Sequence, residues 1–318
     1  MARLGALIPS YRLATETYRE LVGLSVSAST LEEITTVAGQ RLRDLEARVA
    51  QASIALPAKE AGCSAAVVSG KPALAQPDHL CISIDGTMVN TQEGWREVKT
   101  VAVSEVAEGK EGAPVELVHH SYRAGLWGAK EFATEQWAEA QRRGVEQAKR
   151  LTTVNDGAPW IWGIVMLCYP MALQVVDWWH VVERLWLVAN LVLGQGSKAT
   201  AAWVAARKEE LWEGRVAEVI AALRTLEPGG DEGREAVRLL DEYLRTHAER
   251  MRYREFRESG APIGSGTVES ACKNLVGSRL KRGGMRWKPE RAEAILSLRC
   301  ALLGGNWQQA WDSQRRAA

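Results

Sequence analysis

Leu80-Cys81-Ile82-Ser83-Ile84-Asp85-Gly86 is the stretch of sequence that decides the fold. It is a short apolar run that ends in an acidic residue and a glycine, and such a run predicts a buried strand with a carboxylate at its end. Residues 95–103 alternate in polarity and predict a second strand, and residues 115–122 predict a third. Because the connections between these strands are short, we expect an antiparallel meander.

Helical and strand patterns alternate further along the chain. They predict a helix over 128–149, a strand over 151–154, a helix over 160–167, a strand over 172–176 and a helix over 179–193. Three antiparallel strands followed by helix, strand, helix and strand is the element order of a ribonuclease-H-like core. We therefore predict an α/β fold with a mixed five-stranded sheet, the first part of which spans residues 80–195.

The segments on either side of this core are helical in pattern. Residues 196–262 predict an all-helical insertion, and residues 263–318 predict the last core helix and a helical tail. Residues 1–49 predict a helix-turn-helix-like segment. It either contacts DNA or is a plain helical hairpin, and its lack of excess Lys or Arg favours the hairpin at least as much. Residues 50–79 are rich in Ala, Pro, Gly and Ser and predict a linker.

Composition narrows the classes of function. The chain of 318 residues has a net charge of +1, so contact with nucleic acid requires a local basic patch. Its five cysteines are scattered without a Cys-x-x-Cys pair, which argues against a disulfide framework and the usual zinc spacings. No apolar run reaches the roughly 18 residues that a membrane span needs, and no signal peptide is evident. The sequence predicts a soluble cytosolic protein.

Three acidic residues stand at the predicted element ends: Asp85 and Asp156 follow strands, and Glu269 opens the last core helix. In a ribonuclease-H-like sheet the first and fourth strands are neighbours, so the three carboxylates are expected to converge. Such a cluster suits two Mg²⁺ ions in phosphoryl transfer. The alternatives are that both Asp-Gly pairs are ordinary turns and that Glu269 pairs with Lys273 on a solvated face.

Basic residues cluster beside the predicted last core helix. They are Lys273, Arg279, Lys281, Arg282, Arg286, Lys288 and Arg291. Contact with the phosphate backbone of DNA is the interpretation that we favour over a solvated face, because the cluster adjoins the proposed acidic site. His180 either contacts a phosphate near the acids or is a partly buried histidine satisfied by Asp177 or by a backbone carbonyl.

Four stretches of the chain resemble the DDE transposases of bacterial insertion sequences, most closely the ISKra group, which is related to the mutator-like transposases. The stretches are SIDGTMVNTQEGWREVKTVAV at 83–103, NDGAPWIW at 155–162, DWWHVVERLW at 177–186 and GSGTVESACKNLVGSRLKRGGMRW at 264–287. The resemblance places the family's acidic triad at Asp85, Asp156 and Glu269, as both catalytic residues and metal ligands. It also places the family's Asp-x-x-His motif at Asp177 and His180, as an auxiliary pair near the site.

The resemblance implies cleavage at transposon ends and strand transfer into target DNA. It further implies Mg²⁺ as cofactor, with Mn²⁺ able to substitute, double-stranded DNA as partner, a homo-oligomer on DNA and the bacterial cytosol as location. Members usually carry a longer N-terminal region ahead of the helix-turn-helix-like segment. Because this sequence begins almost at that segment, a catalytically silent, truncated or domesticated DNA-binding protein of the same fold stays open as an alternative to an active transposase. Another ribonuclease-H-like nuclease is a second alternative.

Overall fold

A computed structural model describes residues 1–55, 76–107 and 115–317. Its sheet has five strands: β1 (His79–Thr91), β2 (Gly94–Ala107), β3 (Glu116–Gly125), β4 (Arg150–Asn155) and β5 (Leu173–Val176). The strand order is β3-β2-β1-β4-β5. β1 pairs antiparallel with β2, whereas β4 pairs parallel with β5. The predicted α/β fold with a mixed five-stranded sheet is confirmed, and so is the expectation that the first and fourth strands are neighbours.

Strand β1 is longer than the sequence pattern predicts. Asp85 lies in its middle, opposite Thr100, and pairing continues to Thr91, opposite Gly94. The prediction that the strand ends at Asp85 is therefore wrong. The Asp85-Gly86 pair forms no turn because the residues after it find partners on β2. The chain reverses only at Gln92 and Glu93, just before Gly94, whose φ of 107° suits glycine.

Fourteen α-helices lie outside the sheet in the described residues. They are α1 (Ala2–Leu7), α2 (Tyr11–Val22), α3 (Ala28–Ala55), α4 (Ala129–Arg142), α5 (Pro159–Cys168), α6 (Trp178–Leu193), α7 (Lys198–Trp212), α8 (Val216–Arg224), α9 (Asp231–Thr246), α10 (Tyr253–Glu258), α11 (Gly266–Ala271), α12 (Ser278–Leu280), α13 (Pro289–Leu303) and α14 (Trp307–Ala317). A 3₁₀ turn covers Ala248–Met251, and a π-helical turn covers Cys272–Gly277. Across the described residues no helix is long and apolar enough to cross a membrane.

The chain divides into two compact units. The first unit comprises Met1–Glu105, Leu117–Leu151 and Gly266–Ala318, and the second comprises Val106–Glu116 and Thr152–Ser265. The second unit contains the helices predicted for the insertion at 196–262. The structure describes the predicted linker at 50–79 only at its two ends, where α3 runs on to Ala55 and β1 begins at His79; its residues 56–75 lie outside the described part of the chain.

The N-terminal helices belong to the core of the first unit. A Cβ at Gly39 on α3 would lie 2.2 Å from the carbonyl oxygen of Ala294 on α13, so only glycine permits this close approach of the two helix backbones. Apolar side chains from β1, β2, the π turn and α13 form one buried cluster, which includes Val89, Val98 and Leu275. This cluster packs the π turn against β1, which carries Asp85, and against β2.

The insertion helices pack on the last strand and on α6 within the second unit. The Trp178 ring meets the rings of Trp212 and Tyr253 edge-on, with centroids 5.2 and 5.1 Å apart. The Tyr253 hydroxyl, which is buried, donates to the carbonyl of Val176 at 3.0 Å. These aromatic contacts anchor the helical insertion to β5 and to the start of α6.

Candidate active site

Asp85 is held by its own strand and by the helical segment that follows α11. Its carboxylate is half-buried, and Oδ1 accepts a hydrogen bond from the Gly86 N–H at 2.7 Å. The thiol of Cys272, the first residue of the π turn, also hydrogen-bonds to the Asp85 carboxylate. Burial, reinforced by the negative charge of Asp85, raises the pKa of the Cys272 thiol far above its ordinary value. Cys272 is therefore a neutral donor toward Asp85.

Glu269 lies on α11, three residues before Cys272, so the two side chains are neighbours on the helix surface. The Glu269 side chain is exposed, and its Oε1 accepts a hydrogen bond from Lys273 Nζ at 2.5 Å. The ion pair considered from sequence as the alternative for Glu269 is thus present. The first unit brings Asp85 and Glu269 to either side of Cys272.

A lysine lies beside the same strand. Lys281 is exposed, and its Nζ donates to Thr87 Oγ1 at 2.9 Å. Thr87 is two residues after Asp85, and alternate residues of a strand share a face, so Lys281 approaches the face that carries Asp85. This cation is in a position to meet an anionic ligand near Asp85.

Asp156 lies in the second unit, directly after β4. It is half-buried, and its Oδ1 accepts a hydrogen bond from the Ala158 N–H at 2.9 Å, which closes a turn of the kind that the sequence alternative described. The ring of Tyr243 packs on Gly157, where a Cβ would lie 2.0 Å from the ring. Burial raises the pKa of Tyr243 to about 12, and the guanidinium of Arg184 stacks 4.2 Å from the ring centroid.

Asp177 is 2% exposed and caps α6. Its Oδ1 accepts from the N–H groups of Trp179 (2.6 Å) and His180 (3.0 Å), and its Oδ2 accepts from the N–H of Ser265. Burial works to raise the pKa of the carboxyl, but the hydrogen bonds from His180 and Ser265 outweigh it and leave the pKa below its usual value. Asp177 is therefore an ionised structural carboxylate that joins two distant segments of the second unit.

His180 is the partner of Asp177 in the predicted motif. Its Nδ1 lies 3.4 Å from Asp177 Oδ1, and its side chain is 36% exposed. The interaction with Asp177 raises the pKa of His180 to about 9 against the opposing effect of burial, and the charges of Asp156 and Glu183 add to the rise. His180 is therefore cationic at neutral pH and is partly open to solvent.

The donor chemistry of the predicted triad fits a hard divalent cation. Asp85 and Asp156 each use one oxygen to accept a backbone N–H, and carboxylate oxygens are the ligands that Mg²⁺ and Mn²⁺ take in proteins. Across residues 1–55, 76–107 and 115–317, no group of three or more His, Cys, Asp or Glu side chains forms a cluster that could hold a metal ion. The structure places Asp85 and Glu269 in the first unit and Asp156 in the second.

Arg279 does not belong to the surface that the sequence predicted for DNA. It is 1% exposed, its Nε donates to the carbonyl of Gly5 at 3.2 Å, and its guanidinium lies over the rings of Tyr11 and Trp287. This arginine docks α1 on the core and is not accessible to a phosphate in this structure.

The other six basic residues differ in their partners and in their exposure to solvent. Arg291 pairs with Glu32 at 2.5 Å, and Arg286 donates to the carbonyls of Thr91 and Gln92. The exposed members are Lys273, Lys281, Arg282, Arg286 and Lys288. The prediction that this surface contacts DNA therefore concerns these five residues and the partly buried Arg291.

Sequence reasoning missed three residues around the predicted acids: Cys272, Tyr243 and Arg184. A signal for Cys272 was present, because it follows Glu269 by three residues on a predicted helix and so shares its surface. Nothing comparable marks Tyr243 and Arg184, since their place beside Gly157 and Asp156 depends on the packing of α9 against α6.

Comparison with known proteins finds similarity to solved structures. No protein-family model matches the sequence, and no curated protein matches it. Among solved structures, the chain is similar to one in the Drosophila P element transposase strand transfer complex, with 9% sequence identity and a TM-score of 0.23, over 77% of this chain and 69% of that chain.

Proposed function

We propose that the protein is a metal-dependent DNA transposase of the DDE type, which cleaves DNA at transposon ends and joins the ends to target DNA. The observation that carries the proposal is the contact of Cys272 with Asp85, which ties the helix of Glu269 to the strand of the first predicted acid. The strand order β3-β2-β1-β4-β5 supports it, because β4 leads into the second predicted acid. The motif resemblance around Asp85, Asp156 and Glu269 supports it from the sequence.

In this proposal Asp85, Asp156 and Glu269 hold Mg²⁺, or Mn²⁺ in its place. Ions bound there would supply Lewis-acid activation of the attacking hydroxyl and would stabilise the leaving oxygen. The protein's own residues then position the DNA. Lys281 next to Thr87 and the cationic His180 attract phosphate groups, and the exposed basic residues around Arg282 neutralise the backbone of double-stranded DNA.

The test is cleavage of DNA that carries the sequences flanking the gene, in the presence of Mn²⁺. We expect Asp85→Asn to abolish cleavage while DNA binding and the melting profile stay near those of the wild type, because an amide has nearly the carboxylate's shape but ligates metal poorly. Asp78→Asn is the matched control: it removes the charge of an exposed acid one residue before the same strand, an acid that pairs with Lys149. This control is expected to cleave normally.

The two alternatives correspond to distinct results of the same assay. A wild-type protein that binds DNA but cleaves nothing with Mn²⁺ or Mg²⁺ would be a silent DNA-binding protein. Cleavage of RNA–DNA hybrids or junctions without end joining would indicate another nuclease. Loss of folding in Asp85→Asn would give Asp85 a structural role. A homo-oligomer on DNA is part of the proposal and is measured by light scattering of the protein–DNA complex.

A further inference from the structure

The helix that carries Glu269 is interrupted by a π-helical turn. Residues 266–280 run continuously as α11, the π turn Cys272–Gly277 and α12. A π turn contains about one residue more than an α turn spanning the same length. Each residue of an α-helix turns by about 100° about the helix axis. The extra residue of the π turn therefore rotates α11 relative to α12 by an amount that an unbroken α-helix would not give. Glu269 and Cys272 owe their orientation to it.

A buried arginine from another helix holds this turn. Arg299 on α13 is 4% exposed. Its Nε donates to the carbonyl of Leu275 at 2.6 Å, and its Nη2 donates to the carbonyl of Asn274 and to Ser278 Oγ. Its Nη1 donates to the carbonyl of Ala6 on α1 at 2.5 Å. Three of these four acceptors thus belong to the π turn or to the residue that follows it.

All the acceptors that bind Arg299 are neutral. The buried Arg123, in contrast, pairs with carboxylates. Burial lowers the pKa of Arg299 to about 10, so it remains charged at neutral pH. A buried cation without an acidic partner is costly unless its donors are satisfied. Here two carbonyls of the π turn, the Ser278 hydroxyl and the carbonyl of Ala6 satisfy them. A side chain that inserts into a helix's hydrogen-bond ladder bends the helix.

We propose that Arg299 is a positioning residue that keeps the π turn in place and thereby sets the rotation of Glu269 and Cys272 toward Asp85. Without Arg299 the segment returns to the commoner α-helical hydrogen bonding. Cys272 then rotates out of its contact with Asp85 and becomes accessible to solvent. The role of Glu269 as a metal ligand rests on the proposed function. The role of Arg299 in holding the π turn does not depend on that function.

The experiment measures alkylation of Cys272 by iodoacetamide in the full-length protein, quantified by mass spectrometry, without DNA or metal. Cys272 is 8% exposed and is expected to react slowly in the wild type. In Arg299→Met, which keeps the length and loses the donors, we expect its rate to rise at least tenfold. Cys81, buried in β1, is the internal standard, because its rate rises only if the sheet opens.

Arg279→Met is the matched control. Arg279 is as buried as Arg299 and also donates to a carbonyl of α1, but that carbonyl belongs to Gly5 and lies outside the π turn. We expect Cys272 to stay protected in this variant. Equal exposure of Cys272 in both variants, or full protection of Cys272 in a folded Arg299→Met, would overturn the proposal.

A second variant covers the case in which Arg299→Met exposes both cysteines. Deleting Asn274 from the π turn removes the extra residue, so the flanking segments keep their relative rotation in an ordinary α-helix that needs no Arg299. In the Arg299→Met background this deletion is expected to restore protection of both Cys272 and Cys81. If the deletion does not restore the protection of these two cysteines, the positioning role of Arg299 is contradicted.

Activity provides a separate readout. If the proposed function is right, Arg299→Met raises the Mn²⁺ concentration for half-maximal cleavage while DNA affinity is retained, since Glu269 is then turned away. If the wild type shows no cleavage, the proposed function fails, yet the alkylation result still decides whether Arg299 holds the turn.

Discussion

Asp177 Oδ2 accepts a hydrogen bond from the backbone N–H of Ser265, 88 residues further along the chain. The same carboxylate caps α6 through the N–H groups of Trp179 and His180. A single buried side chain thus joins the start of α6 to the residue just ahead of α11. Within the Asp-x-x-His motif, the aspartate has a clear structural role and the histidine is the partly exposed member.

Removing this carboxylate is expected to destabilise the protein. Asp177→Ala loses a helix cap and leaves the N–H of Ser265 buried without a partner, so we expect a loss of about 2–4 kcal/mol in the free energy of unfolding. Urea denaturation followed by circular dichroism measures it. Ser197→Ala is the control: it removes the cap of α7 together with the hydroxyl's bonds to Leu193 and Thr200, all local in the chain, and is expected to cost about 1 kcal/mol. Equal losses in both variants would show that the bond to Ser265 adds nothing.

His180 is expected to titrate near pH 9, because Asp177 stabilises its charged form. A folded-state pKa above the ordinary 6.5 means that the stabilisation is complete below about pH 6.5 and is lost as the pH rises through 9. The ring resonances in NMR spectra give the midpoint directly. The stability deficit of His180→Gln relative to the wild type should be larger at pH 6 than at pH 10. A midpoint near 6.5 would contradict the close contact with Asp177.

Loss of the buried ion pairs of Arg123 is expected to destabilise the protein. The Arg123 guanidinium binds Glu46 on α3 and Glu135 on α4, both buried or nearly so. Arg123→Met leaves two carboxylates without a cation, and we expect a loss of about 3–5 kcal/mol. Because burial already raises the pKa of Glu46, this loss should be larger at pH 8 than at pH 5. The exposed Arg238, paired with Glu235, is the control, and Arg238→Met should leave the urea midpoint unchanged.

The exposed basic residues predict a salt-dependent DNA contact. Arg282→Ala should weaken binding to a labelled duplex irrespective of its sequence and reduce the slope of log K against log salt by about 0.9, the effect of one lost phosphate contact. Fluorescence anisotropy at several salt concentrations measures the slope. Arg234→Ala is the charge-matched control, because Arg234 pairs with Asp231 on α9 outside the basic cluster. An unchanged slope in Arg282→Ala would remove this residue from the interface.

The sheet could be predicted from sequence because each strand carries its own apolar pattern. The exact length of β1 could not, because an Asp-Gly pair has the local signature of a turn. Whether Asp85-Gly86 turns or continues depends on β2, whose Thr100 and Lys99 supply the pairing partners. Local patterns thus place the acid on the right strand but not at the right position within it.

Residues with unusual burial escaped prediction for a different reason. Arg279 looks like its charged neighbours in sequence, and it is a core residue because it contacts Tyr11 and Gly5, more than 250 residues away, as well as the ring of Trp287. Arg299 and the π turn leave no sequence pattern either, because their hydrogen bonds join α13 to carbonyls of the preceding helix. The predicted acids needed only residue type and element order, whereas these contacts require the packed fold.

The most direct test of the central claim is a crystal structure of the protein soaked in Mn²⁺, with the anomalous signal recorded at the manganese absorption edge. We expect one or two manganese ions bound by carboxylate oxygens of Asp85, Asp156 and Glu269. A well-ordered structure in which these carboxylates bind no manganese, with and without DNA, would contradict it.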